Sequence, residues 1–221
     1  MTKKFNLKPI HKPTTAKEMA YSEIKKVILN GHISSEDIFT EVQMAELLNT
    51  SRTPVREALR DLIKEGLISV IPRKGMSIRK VSESEVEQIF LLRSTIEGEV
   101  VKKVTREFAP RQLAQLKSIC DQQREAMQAE DDLLFIHLDQ KFHTTLVKFS
   151  KYELIEQILL NLHNLSQLIG LKAIKKRNRM EEVLEEHLAI LENMENGNEE
   201  QAVLSMSEHL QRTKQSLYVQ P

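Results

Sequence analysis

The chain has 221 residues, 40% hydrophobic and 29% charged, with 32 basic and 32 acidic side chains and hence no net charge. That length allows two domains, no apolar run approaches the ~18 residues of a membrane span, and the N-terminus lacks a cleavable signal pattern, so a cytoplasmic protein without a membrane partner is expected. The single cysteine, Cys120, excludes an intrachain disulfide and a thiolate metal cage, and 5% aromatics with no tryptophan argue against recognition of single strands by base stacking.

The zero net charge averages two unlike halves. Residues 1–80 hold 15 Lys and Arg against 9 Asp and Glu, a net of +6, and residues 81–221 hold 17 against 23, a net of −6. A basic N-terminal part gains from counterion release on a nucleic-acid backbone, and an acidic remainder is repelled by it. Helix surfaces without any partner can also differ by this much, so the asymmetry only supports what the motifs say.

In chain order, residues 1–15 contain Lys3, Lys4, Lys8 and Lys12 with Pro9 and Pro13, and are expected to form a flexible arm. A helix over residues 16–30 is predicted to place Met19, Ile24, Val27 and Ile28 in a three-helix core, with Gly31 ending it. Residues 40–48 are predicted to form a short capped helix burying Val42, Ala45 and Leu48, with the tight turn Asn49-Thr50 after it, which is helix-turn-helix spacing.

The next helix carries the clearest chemistry. Ser51 is placed to cap it and Pro54 is tolerated in a first turn. At about 100° per residue, Arg52, Arg56 and Arg60 share one narrow sector with Thr53 at its edge, and Val55, Leu59, Leu62 and Ile63 fill the adjoining one. An arginine stripe at this spacing is more often a solvated face paired with Glu57 and Asp61. Here the cap, the preceding helix, the turn and a basic hairpin on the C-terminal side all agree on a helix that enters the major groove of duplex DNA. Gly66 is predicted to end the helix in a left-handed cap. Residues 67–71 and 76–81 alternate as the two strands of that hairpin, joined by Pro72-Arg73-Lys74-Gly75, a wing with a basic tip.

Residues 16–81, with Ser51-Arg52-Thr53-Pro54-Val55-Arg56-Glu57-Ala58-Leu59 and Glu65-Gly66-Leu67 as they stand, resemble the winged helix-turn-helix of the GntR superfamily of bacterial transcription regulators. The resemblance implies that Arg52, Thr53 and Arg56 touch bases and phosphates in the major groove while Arg73, Lys74 and Gly75 lie in the adjacent minor groove. The expected DNA-binding set is Ser51, Arg52, Thr53, Arg56, Arg60, Arg73, Lys74 and Gly75.

Ser82 with its neighbouring glutamates suits a helix start. Beyond it the pattern is helical throughout, near 83–107, 110–129, 131–149, 151–176, 180–196 and 199–217, with breaks at Ala109-Pro110, Ser150-Lys151, the 175–179 basic run and Asn196-Gly197-Asn198. The expected fold is therefore mostly α: a winged helix-turn-helix of three helices and a two-stranded wing over 16–81, then an all-α bundle over 83–218.

Polar side chains interrupt three apolar stripes of that bundle. Asp139 and His143 sit one turn apart on Phe135, Ile136, Phe142, Leu146. His187 lies on Met180, Val183, Leu184, Leu191, Met194, and His209 on Ala202, Met206, Thr213, Leu217. One carboxylate and three imidazoles turned toward a bundle interior suit a divalent ion with nitrogen and oxygen ligands, zinc first, then nickel or manganese. Singly, each histidine would be a hydrogen-bonded core residue; four interruptions on facing stripes are a ligand set. His137 falls on the outer face, His163 is ambiguous, and Cys120 is a small apolar helix residue.

These residues carry a second resemblance. Asp139 and His143, Glu186-His187-Leu188 with Ile190-Leu191, and Ala202, Met206, His209-Leu210 are similar to the effector domain of the FadR/FCD subgroup of the same superfamily. That resemblance implies a metal on Asp139, His143, His187 and His209, a carboxylate effector beside it, and Arg93 as a carboxylate holder. Arg93 also falls on the inward stripe Ile89, Ile96, Val100, where a guanidinium fork can grip a carboxylate or pair with Glu97 one turn on. Segment 162–168 departs from the family pattern, with Asn164 and Gln167 where an arginine is common, and these complete the expected effector-binding set. The function expected is a ligand-responsive repressor, a homodimer on a pseudo-palindromic operator. A metal-dependent hydrolase or a sensor of the metal itself are the alternatives, although no general base or nucleophile is evident near the ligands beyond Glu185, Glu186 and Glu208.

Overall fold

The computed structural model describes residues 14–174 and 178–218; the expected arm falls almost wholly outside them, as does most of the 175–179 run. Two hydrophobic cores organise these residues. The first is built by α1 (Ala16–Leu29), α2 (Glu41–Leu47) and α3 (Arg52–Lys64) with the hairpin β1 (Ile68–Ile71) and β2 (Gly75–Ile78). The second is built by α4 (Glu83–Glu107), α5 (Pro110–Gln128), α6 (Asp132–Ser150), α7 (Glu153–Ile174), α8 (Arg179–Glu195) and α9 (Glu199–Ser216).

Helix starts are encoded locally. Thr15, Thr40 and Ser82 each accept the amide three residues on, and Glu18, Gln43 and Glu85 return the bond, so α1, α2 and α4 open on capping boxes. Ser51 differs from expectation: it has the extended backbone of a cap but no side-chain cap bond. Pro54 stands three residues on, where the missing N–H is the donor a serine cap uses. Gly66, at φ 74°, ends α3 in the left-handed conformation and lets Leu67 N–H reach Leu62 C=O at 3.0 Å.

The wing is a two-stranded antiparallel sheet in which Ile68 faces Ile78 and Ile71 faces Gly75. Phe39 bridges Met76 through two 2.9 Å backbone bonds, pinning the wing to the chain before α2. A Cβ on Gly75 would stand 2.6 Å from Phe39 O, so only glycine lets that segment pass.

In the first core, Ala20, Ile24 and Ile28 are the buried stripe of α1; Met19, about 100° away from Ala20, is exposed instead of buried. On α2 the inward residues are Met44 and Ala45. Val42, in the first turn of a seven-residue helix, faces solvent, and Leu48 is only partly covered. The two cores meet at α7, whose Leu168 packs against the first core.

Candidate functional site

On α3, Val55, Ala58, Leu59 and Leu62 are buried, which turns Arg52, Thr53 and Arg60 to solvent. The solvated-face pairing with Glu57 and Asp61 does not form: Asp61 binds Lys17 at 2.7 Å, and Arg56 donates from Nε to Glu41 Oε2 of α2 at 2.8 Å. The Arg56 pair is half exposed and of the kind worth well under 1 kcal/mol, so a phosphate or base edge can replace Glu41. Arg73 and Lys74 are exposed at the wing tip, Arg73 at φ 63°. Stripe and tip are thus each exposed and basic, without strong internal neutralisation.

In the bundle, Asp139, His143, His187 and His209 converge, each offering a ligand atom within 4.8 Å of the others. His143 Nε2 and His209 Nε2 are 3.1 Å apart, and His187 Nε2 is 3.5 Å from Asp139 Oδ1. The three rings are buried, and Phe142 stacks on His187 at 4.0 Å between centroids.

The outer atoms of the rings decide what the inner ones can do. His209 Nδ1 lies 2.8 Å from Glu186 Oε2, His187 Nδ1 lies 2.9 Å from Gln123 Oε1, and His143 Nδ1 lies 2.5 Å from Glu97 Oε2, off the ideal N–H line. Each Nδ1 facing an acceptor carries the ring proton, so each Nε2 presents a lone pair inward. Two lone pairs at 3.1 Å cannot hydrogen-bond to each other, and His187 Nε2 is buried without a partner. A cation at the centre resolves all three, so these residues fit a metal ion.

Electrostatics keep His187 and His209 in ligating form. Burial, then the neighbouring His209 and His143, push His187 well below the ordinary histidine range. Burial likewise lowers His209 against the pull of Glu186. Burial would raise Glu97, but Arg93, His143 and His163 overturn it and hold the carboxyl well below its usual range. Burial would also raise Glu186, whose bonds to His209 and Arg179 bring it down.

A small cavity of about 40 Å³ adjoins the cluster, with Arg93, Asp139, Gln167 and Arg179 in its wall. Arg93 is buried and gives Nε to Glu97 Oε1 at 2.7 Å, so the sequence's two options for it coexist: it pairs with Glu97 and still lines the cavity. Gln167, expected among the effector-binding residues, lies in the cavity wall. Asn164 does not: its amide donates to Glu65 Oε2 at 3.3 Å, away from the cavity wall. At about 100° per residue, three positions separate Asn164 and Gln167 by some 60°, enough on this buried helix to divide them between two neighbours.

Sequence reasoning missed four residues here. Arg179 is buried, gives two 2.8 Å bonds to Glu186 and a 3.0 Å bond to Thr213, yet it lies in a basic run whose composition predicts a break. Its signal was position: Arg179, Val183 and Glu186 continue one helical stripe. Gln123 and Glu97 support His187 and His143 from helices whose polar core positions carried no motif. His163, ambiguous in sequence, is buried with Nε2 3.1 Å from Glu97 Oε1.

A winged helix-turn-helix with an arginine stripe, joined to a helical bundle, defines a DNA-binding regulator. Residues 16–78 match the bacterial regulatory proteins of the gntR family, and residues 88–212 match the FCD domain. The chain is 31% identical over 194 residues to the uncharacterized HTH-type transcriptional regulator YdhC of Bacillus subtilis, covering 87% of each. It is 26% identical over 200 residues to the HTH-type transcriptional repressor RspR of Escherichia coli, covering 90% of this chain and 88% of that one. Among solved structures, E. coli McbR/YncC superposes with a TM-score of 0.82 at 20% identity, covering 93% of this chain and 98% of that one, a likeness of fold. The chain belongs to the GntR family and carries its FCD domain: it is a DNA-binding transcription regulator, not an enzyme. No helix among the described residues is long and apolar enough to cross a membrane.

Proposed function

We propose that the chain is a ligand-responsive repressor that binds a pseudo-palindromic operator as a homodimer, with a divalent ion, zinc first, on Asp139, His143, His187 and His209 and a small carboxylate bound beside it. One observation carries this reading: three buried imidazoles, each with Nδ1 held by an outer side chain, aim unshared Nε2 lone pairs at one point next to a cavity lined by Arg93. When bound, the ion supplies positive charge and an open position for a carboxylate oxygen. Arg93 and Gln167 orient that carboxylate, and Glu97, Gln123 and Glu186 fix the rings.

Repression is the role named for the relative RspR. A dimer is favoured by exposed apolar side chains on two packed helices, Leu91 on α4 and Leu204 on α9, beside the Ser94–Ser207 contact. DNA contact falls to Ser51, Arg52, Thr53, Arg56 and Arg60 and to Arg73, Lys74 and Gly75 at the wing. Helix α7 supports a route between the two regions. Its Gln167 faces the cavity, His163 binds Glu97, and Asn164 holds Glu65, the residue that closes α3. Tyr21 and Lys25 of α1 grip the same carboxylate at 2.5 and 2.7 Å, so a ligand that shifts α7 shifts the reading helix with its neighbour.

The test measures bound metal, then thermal shift against small carboxylates with and without chelator, then operator affinity in each state. A metal-dependent shift that also changes operator affinity is expected. Operator affinity that follows metal alone, with no carboxylate effect, would replace the proposal with a metal sensor. Hydrolysis of a generic ester without operator binding would replace it with the hydrolase.

A further inference from the structure

We propose that the ligand of the cavity is a short monocarboxylate with a hydrocarbon body and at most two further polar groups, and not a sugar acid or a dicarboxylate. This rests on the metal-and-carboxylate reading above and narrows it by size, polarity and charge.

Size comes first. A cavity of about 40 Å³ has room for roughly three waters, at about 10–15 Å³ each. At Gly170 a Cβ would meet nothing nearer than Ile136 Cδ1 at 4.0 Å, so the wall leaves space there. An acid of about three to five carbons is the scale that fits.

Polarity comes second. Phe90, Phe135, Ile136, Ile169, Val183 and Leu217 supply a hydrocarbon wall from four helices and the cap that ends α9. Most polar groups in the wall are already committed. Gln140 donates to His163 C=O at 2.8 Å, Ser166 to Leu162 C=O at 2.9 Å, and Arg179 to Glu186, Glu182 and Thr213. Three retain capacity. Arg93 spends only Nε on Glu97, Arg179 Nε is buried without a hydrogen-bond partner, and Gln167, nine-tenths buried, has none among the described residues. Two guanidinium groups, one amide and the ion's open position satisfy a carboxylate and two additional polar atoms. Each further hydroxyl would be buried unpaired, costing on the order of tenfold in affinity.

Charge comes third. The fixed buried charges around the cavity are Arg93 and Arg179 against Glu97, Glu186 and Asp139, with Glu182 and Arg212 half in solvent and mutually cancelling. A dication brings that sum from one negative to one positive charge. One carboxylate neutralises it, and a second carboxylate would be a buried, uncompensated anion.

The experiment is calorimetry and thermal shift on the zinc-loaded full chain with propionate, isobutyrate and isovalerate against succinate, citrate and gluconate, repeated after chelation. At least one monocarboxylate is expected to bind ten times or more tighter than every member of the second group, and to lose that binding with the metal. Succinate, citrate or gluconate binding as tightly as the best monocarboxylate would overturn the inference while leaving the metal-and-carboxylate reading standing. No binding by any of the six would defeat the inference and count against that reading too. Gly170→Leu, which fills the cavity and keeps a good helix former, is expected to weaken the monocarboxylate at least tenfold with metal content and helicity unchanged; unaltered binding in that variant would place the ligand elsewhere and sink the proposal.

Discussion

The arginine face of α3 and the ion cluster of the bundle are built on opposite plans. The first is exposed, drawn from consecutive turns of one helix plus a wing tip, and its side chains keep few protein partners. The second is buried and drawn from three helices, and each ring is backed by a residue of a helix other than its own. A surface that must adapt to a charged duplex keeps its long cations free, whereas a site that must hold an ion has its lone pairs fixed in advance. Substitutions should therefore behave differently in the two places. On the face they should cost about one contact each. In the cluster each should also strand a buried partner.

The largest effect is expected from His187→Ala. Losing a ligand should lower metal affinity beyond the 10–100-fold typical of outer partners. Mass-spectrometric metal content after dialysis measures it, and low-salt operator binding should survive; joint loss of both would mean that the two regions are not separable. Glu186→Gln comes next. It removes the charge that orients His209 and neutralises Arg179, so metal affinity should fall about 10–100-fold. Breaking a buried pair also costs about 3–5 kcal/mol of stability, visible in the denaturation midpoint of the metal-free protein. An unchanged midpoint would show that Arg179 finds Glu182 or solvent without penalty.

Arg52→Ala and Arg56→Ala should each weaken operator binding by about 1–3 kcal/mol if they contact base edges. Competition against random duplex separates the two roles: a base contact loses specificity, and a phosphate contact only flattens the salt dependence. Arg56 should lose slightly less, because its wild-type state must first give up Glu41. Metal content in both variants should match wild type, which is the feature that contrasts them with Glu186→Gln.

The same contrast explains what was legible in sequence. The winged domain is written in contiguous motifs, so its helices, wing and arginine stripe could be read from local periodicity; its errors include Met19 and Val42, at the edges of buried stripes, and the Ser51 cap bond, which Pro54 removes. The four candidate ligands were also legible, because a histidine or aspartate on an apolar stripe is conspicuous one helix at a time. Their supports were not. Glu97, Gln123 and Glu186 matter through partners 46, 64 and 23 residues away, and only the packing of α4, α5 and α8 brings them to the rings. Arg179 was masked by its basic neighbours, and within residues 162–168 the division of Gln167 and Asn164 between the cavity and Glu65 depends on what packs against α7.

The smallest expected effect is the one that joins the two regions. Asn164 reaches Glu65 through a single 3.3 Å bond, and Glu65 keeps Tyr21 and Lys25 when that bond is cut. Asn164→Ala should therefore leave metal content, carboxylate affinity and ligand-free operator binding close to wild type. What should shrink is the ratio of operator affinities with and without ligand, by about the fivefold that one hydrogen bond of ~1 kcal/mol can carry. Thermodynamic reciprocity gives an independent check: the operator's effect on carboxylate affinity must shrink by the same factor. If the ratio stays intact, the signal passes through the α4 connection from Arg79 and Glu85 instead, and Arg79→Ala, which removes that ion pair, becomes the variant that should lower it.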